Sequence, residues 1–115
     1  MTSEETVQLL INRFPFVVKL VETPEDVYFS APFYIYERFS EHLRKHHTDE
    51  EFLVSVCQLI DDLANSSDSF LHEVLGLSIL ESVAQDVALA DKIKSRICEK
   101  SKGMLKKIES DLYGR

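Results

Sequence analysis

Four histidines and several paired carboxylates are the residues of this chain that could carry out chemistry. His42 and His46 are four apart, a spacing that puts both rings on one side of a helix, where they could share a metal ion with Glu41 or Glu50 as a third ligand. The run from His42 to His47 is not HExxH, however, and Arg44 and Lys45 place positive charge where a cation would sit. A solvated last helical turn, with its histidines favoured by the helix dipole, is the simpler account. His72 and Glu73 lie close to Ser67 and Ser69, which would suggest nucleophilic catalysis if the three functions converged. Sequence neighbours on a helix point in different directions, and there is no GxSxG elbow. Cys57 and Cys98 each sit among apolar residues at helical spacing and read as small core residues. GxGxxG, GxxxxGK[ST] and CxxC are all missing. The sequence therefore predicts no catalytic residue, no metal and no cofactor, and a protein that is not an enzyme.

The carboxylate pairs Glu4-Glu5, Glu25-Asp26, Asp49-Glu50-Glu51 and Asp61-Asp62 mostly have a structural use at helix starts or on solvated faces. A glycosidase pair would need aromatic platforms in a cleft, and the chain has no Trp. Glu81 differs, because it falls in the most apolar stretch; it is expected either to form an internal ion pair with Arg38 or Lys19 or to mark a groove. Residues 22 to 36 mix acids with aromatics. Tyr28 beside Glu22, Glu25 and Asp26 suits a protein-binding loop, while the competing account puts the aromatics in the core.

The net charge of −7 is unevenly spread. Up to Asp91 there are 17 acidic and 5 basic side chains; from Lys92 onward there are 3 and 8. Such an acidic body disfavours nucleic acid and anionic membranes and favours cationic proteins, whose encounter it can steer. The lysine-rich end is diluted by Glu99, Glu109 and Asp111 and has no interleaved aromatics, so it is expected to pack on the core and pair with earlier acids. Two isolated thiols suit a reducing cytoplasm. The first ten residues lack the basic and apolar regions of a signal peptide, and no apolar run is long enough to span a membrane.

These side chains must be positioned by helices. With only three Gly and three Pro in 115 residues, a turn-rich β fold lacks its punctuation. One domain of about five helices is expected over residues 1–115. Thr2 and Glu5 have capping-box spacing ahead of Val7, Leu10, Ile11 and Phe14. Phe16 to Val21 reads as a short helix or packed turn, and Glu22 to Asp26 as a loop. Ser30 and Pro32 open a helix through Phe33, Tyr36, Phe39 and Leu43. Thr48 to Glu51 reads as the capping box of a helix from Phe52 to Leu63. Asn65 to Asp68 connect it to a helix from Phe70 to Val83 that is apolar nearly all round and expected to be the most buried. A last helix runs from Asp86–Asp91 to Leu112, with Gly103 expected to kink or split it. Short links imply antiparallel helix pairs, stacked in a right-handed HEAT or armadillo-like arrangement, with a closed helical bundle as the alternative.

Phe14-Pro15, the aromatic helix from Phe33 to Phe39, the segment from Cys57 to Asp68 and that from Leu71 to Glu81 together resemble the small all-helical bacterial immunity proteins of contact-dependent growth inhibition and other polymorphic toxin systems. The resemblance spans roughly residues 7 to 85 and rests on helix-packing patterns and a turn. It implies a cytoplasmic, non-catalytic inhibitor, a monomer or weak dimer, that covers the active site of a cognate toxin. Immunity interfaces differ from pair to pair, so no binding residue carries over. The charge agrees with a nuclease partner, whose phosphate-binding cleft is basic and could be filled by carboxylates. The candidate contacts are Glu22, Glu25, Asp26, Tyr28, Asp49, Glu50, Asp61, Asp62, Asp68 and Glu73. A helical adaptor for another protein is the alternative.

Overall fold

A computed structural model describes the chain from Met1 to Arg115; the side chain of Asp26 lies outside the described residues. The fold is all-α, with no strand among the described residues. The helices are α1 (Ser3–Arg13), α2 (Glu25–Tyr28), α3 (Pro32–His46), α4 (Glu50–Asn65), α5, α6 (Val87–Lys94) and α7 (Glu99–Tyr113), with a 3-10 turn at Pro15–Leu20. Helix α5 is continuous but changes winding: Ser69–Val74 is α-helical, Leu75–Leu80 is π-helical and Glu81–Ala84 is α-helical again.

Seven helices replace the expected five or so, for two reasons. The loop expected at Glu22 to Asp26 contains the first half of α2, whose single turn is too short to show a period. The expected last helix is two, broken between Lys94 and Glu99 and not at Gly103, which lies inside α7 with open space beside it. The break is held from outside. The Asp61 carboxylate on α4 accepts from the Cys98 backbone N–H at 3.0 Å and from the Ser101 hydroxyl at 2.7 Å, capping α7 across the fold.

Other starts follow local chemistry. Thr2 and Glu5 form the reciprocal capping box. Asp49, not Thr48, caps α4 through the Phe52 N–H. Ala31 occupies the cap position of α3 with Pro32 in its first turn, and the Ser30 hydroxyl turns back to the Val27 carbonyl instead. Asp68 caps α5.

Helix α5 is the centre of the molecule, packed against α3, α4, α6 and α7, while α1 and the 3-10 turn cover another side of α3. The α4–α5 hairpin is present as expected. Because its second arm is enclosed by neighbours, the arrangement is nearer the closed bundle than a row of pairs. Phe39 of α3 is fully buried, with the Phe14, Phe52 and Phe16 rings at 4.7, 5.9 and 6.4 Å. His42 joins this cluster, its ring 4.7 Å from Phe16 and stacked 4.1 Å from His46. Burial, then the charges of His46 and Lys45, hold the His42 pKa below the ordinary histidine value. His42 thus packs within the cluster, with the exposed His46 stacked beside it. Among the described residues no group of three or more His, Cys, Asp or Glu is placed to hold a metal.

Two buried polar contacts tie the helices together. The Tyr36 hydroxyl donates to the Thr6 carbonyl at 2.9 Å, and burial raises the phenol pKa above its ordinary value. Tyr36→Phe is expected to lower stability by about 1 kcal/mol, read as a shifted urea midpoint with an unchanged slope. Glu109 of α7 is almost fully buried between Lys94 at 2.6 Å and Arg115 at 3.3 Å, and Arg115 also donates to the Ala84 carbonyl at 2.9 Å. The internal ion pair expected at Glu81 is therefore found at Glu109; Arg38 pairs with Glu41 instead. No helix is long and apolar enough to cross a membrane among the described residues.

Candidate functional site

The sequence of α5 dictates its unusual winding. Its buried residues include Leu71, Val74, Leu75, Ile79, Leu80, Val83 and Ala84. The buried set widens at the π turn: Ser78 and Ile79 lie four residues after Val74 and Leu75, Leu80 lies five after Leu75, and steps of four then lead to Val83 and Ala84. A uniform α-helix would rotate one end of this stripe away from the core. One π turn absorbs the extra residue and keeps both ends facing inward: the Glu81 N–H donates to Gly76, five residues back. Leu77 stands 48% exposed, on the outward face of the helix that also carries exposed Ser69 and Glu73.

The wide turn also strands two hydroxyls. Elsewhere in this chain, Ser40 and Ser55 donate to the carbonyl four residues back, at 2.8 and 3.1 Å. For Ser78 and Ser82 that carbonyl belongs to Val74 or Ser78, at the entry to the π turn and within it, where the four-residue register is broken. Both hydroxyl oxygens are buried without a hydrogen-bond partner, and Ser78 is only 2% exposed. Each unpaired hydroxyl costs about 1–3 kcal/mol.

Ser78 and Ser82 are among the residues around a cleft of about 200 Å³ between α3 and α5, with their hydroxyl oxygens closed off from solvent. Glu37, Ser40, Glu41 and Arg44 form one wall; Leu77, Ser78, Glu81, Ser82 and Gln85 form the other. Arg38 holds Glu41 at 2.8 Å, and Arg44 donates to the Gln85 side-chain oxygen at 2.8 Å. Glu37 and Glu81 form no ion pair among the described residues. On the far side of Leu77 is an apolar groove of about 400 Å³ between α5 and α7, edged by Glu73, Glu81 and Asp111 and floored by Gly76, Ile108 and Leu112. Leu112 is 51% exposed. The two depressions share Leu77 and Glu81 and form one face, an apolar ridge with a carboxylate rim. The lining offers acceptors and apolar contact, which is recognition chemistry for a cationic, amphipathic surface.

Most acids singled out from the sequence lie elsewhere. Asp49 and Asp68 are helix caps, and Asp68 also pairs with the amine of Met1. Glu50 holds Arg96 at 2.8 Å, and Asp62 pairs with Arg13. Asp61 caps α7. Burial pushes its pKa up, but the bonds from Cys98 and Ser101 outweigh that and hold it below the ordinary carboxyl value. Tyr28 is buried with its ring 5.1 Å from Phe29. Glu22 and Glu25 are exposed, and Glu25 edges a shallow, open depression with Glu4, Glu5, Gln8 and Phe29. The side chain of Asp26 lies outside the described residues. Among the described residues of the ten, Glu73 alone belongs to the π-turn face. Sequence reasoning missed Glu37 and Asp111 there, whereas Glu81, whose second reading was to mark a groove, lines both depressions.

No family model matches the chain, and no curated protein or solved structure matches it either.

Proposed function

We propose that this chain is a non-catalytic binding protein that neutralises a cationic protein in the manner of a bacterial immunity protein, its partner a toxin with a basic cleft such as a nuclease. The observation that carries this reading is the π-turn face: exposed Leu77 and Leu112 beside the carboxylates of Glu37, Glu73, Glu81 and Asp111. Apolar anchors at the centre with unneutralised acids around them complement a basic, substrate-binding surface. The acid-rich body up to Asp91 adds long-range attraction, which speeds capture at low salt. Such an inhibitor would act in the cytoplasm, where a toxin meets its target.

The experiment is neutralisation. The chain is mixed with the purified product of a toxin gene adjacent to its own, and complex stoichiometry and residual toxin activity are measured together. A one-to-one complex with activity abolished is the expected result; an unbound, fully active toxin would overturn the proposal. Glu73→Lys with Asp111→Lys should weaken the complex about tenfold or more, whereas Glu22→Lys with Glu25→Lys should change mainly the association rate and its salt dependence. The reverse pattern would move the contact to the α2 end of the molecule.

A further inference from the structure

We propose that the apolar groove between α5 and α7 is the seat of one amphipathic helix of the cationic partner, aliphatic on the side that enters and bearing lysine or arginine at its edges; this rests on the binding role given above to the π-turn face. The two walls run side by side in the same direction, since Gly76 lies opposite Ile108 and Arg115 reaches Ala84. The groove between them holds about 400 Å³, room for more than one aliphatic side chain. Leu77 on one wall and Leu112 on the other are 48% and 51% exposed, so an apolar occupant would remove both from water.

The floor is deep because residue 76 has no side chain. Glycine is the least favourable helix residue after proline. Neither backbone nor packing demands it here: its φ is not positive, and a Cβ would meet only Ile108 Cδ1, at an ordinary 3.8 Å. The glycine leaves space for a side chain that comes from elsewhere.

Charge selects the occupant. Glu73, Glu81 and Asp111 edge the groove without an ion pair among the described residues, and no Lys or Arg lines it. His72, also in the lining, donates through Nε2 to the Ser66 carbonyl at 2.6 Å. Glu73 and Glu81 are eight residues apart on α5, about 12 Å along the axis, and match cations about two turns apart on a partner helix. A second copy of this face would set carboxylates against carboxylates. An extended peptide finds no strand edge to pair with, and a polyproline segment finds no Phe, Tyr or Trp in the lining. A helix satisfies its own backbone and needs only side-chain contacts.

The test uses the intact chain and three synthetic peptides. The first is an alanine-based helix of about 16 residues, with two leucines at i and i+4 and a lysine about one turn beyond each. The second has alanine for the leucines, and the third has glutamate for the lysines. Backbone amide shifts are followed by NMR. The first peptide should shift residues 73, 76, 77, 108 and 112 saturably, with a dissociation constant on the order of 0.1–1 mM. The other two should bind about tenfold more weakly or worse. Gly76→Leu fills the floor and should weaken the first peptide about tenfold. Leu77→Ser with Leu112→Ser changes only exposed positions and should weaken it as much, so it decides the matter if the leucine variant fails to fold. No saturable shift, equal binding of the second or third peptide, or unchanged binding by the serine variant would each overturn the proposal. So would self-association of the chain, read by sedimentation, that the serine variant abolishes, because the occupant would then be a second copy. Peptide binding with no toxin neutralised would keep the groove and remove the neutralising role. Neutralisation that Gly76→Leu leaves intact, by a chain that ignores the peptide, would remove the groove's role alone.

Discussion

Phe39→Ala is expected to lower the unfolding free energy by about 3–5 kcal/mol, the range for deleting a large buried aromatic. The ring is fully buried and meets Phe14, Phe16 and Phe52, which arrive from the α1 terminus, the 3-10 turn and α4. Those neighbours are anchored in separate elements and cannot all collapse into the space. A domain of this size is stable by only about 5–15 kcal/mol, so the variant should be partly unfolded at 37 °C or close to it. Urea unfolding followed by far-UV circular dichroism measures the loss, with Val54→Ala as the control. Val54 is 44% exposed, and its truncation should cost no more than about 0.5 kcal/mol. A loss at Phe39 no larger than at Val54 would mean that the aromatic cluster does not hold these elements together.

The second large effect is expected at Asp61→Ala. Its carboxylate is the acceptor for the Cys98 N–H and for the fully buried Ser101 hydroxyl. Removing it leaves both donors without their partner and frees the start of α7, a loss of about 2–3 kcal/mol. The pH dependence has a definite sign. The folded-state pKa of Asp61 is depressed, so its contribution is full above the ordinary value of 3.8 and is lost as pH falls below that toward the folded value. The wild-type chain should therefore lose more stability than the alanine variant on acidification through this window, and the two midpoints should converge. Parallel acid limbs would show that the carboxylate does not act as a charged acceptor. Hydrogen exchange in the first turn of α7 should quicken in the variant, because the N-terminal end of that helix loses the carboxylate that accepts from the Cys98 N–H and the Ser101 hydroxyl.

Much of the fold was legible because its signals are local. Thr2 with Glu5 announces a helix start by side-chain hydrogen bonds that reach no further than three residues. The start near Thr48–Glu51 is legible as well, although Asp49 is the residue that caps it, and the cap at Asp68 reads in the sequence only as part of a connector. The basic end also behaves as its pattern suggests where Arg96 reaches Glu50. What escaped was tertiary. Nothing near Cys98 announces that an aspartate 37 positions earlier will end one helix and begin another. Glu109 looks like one more acid on a lysine-rich helix until Lys94 and Arg115 close around it. Acids at 49, 61, 62 and 68 looked like a binding surface because charge is visible in sequence whereas its compensation is not. The apolar character of α5 all round was visible, but it mixed two different things: a stripe that steps by five and a leucine that faces outward.

That step sets what kind of change α5 can accept. It behaves as two rods in different rotational phase, each seated on its own part of the core. Deleting one residue within the π turn would restore uniform α winding and leave Val83 and Ala84 facing inward, because the surplus residue is the one removed. Deleting one in either flanking α segment would instead swing everything beyond it through about 100° and turn its buried face toward water. The length of this helix can change in its π turn, and not beside it, without carrying one end out of the core.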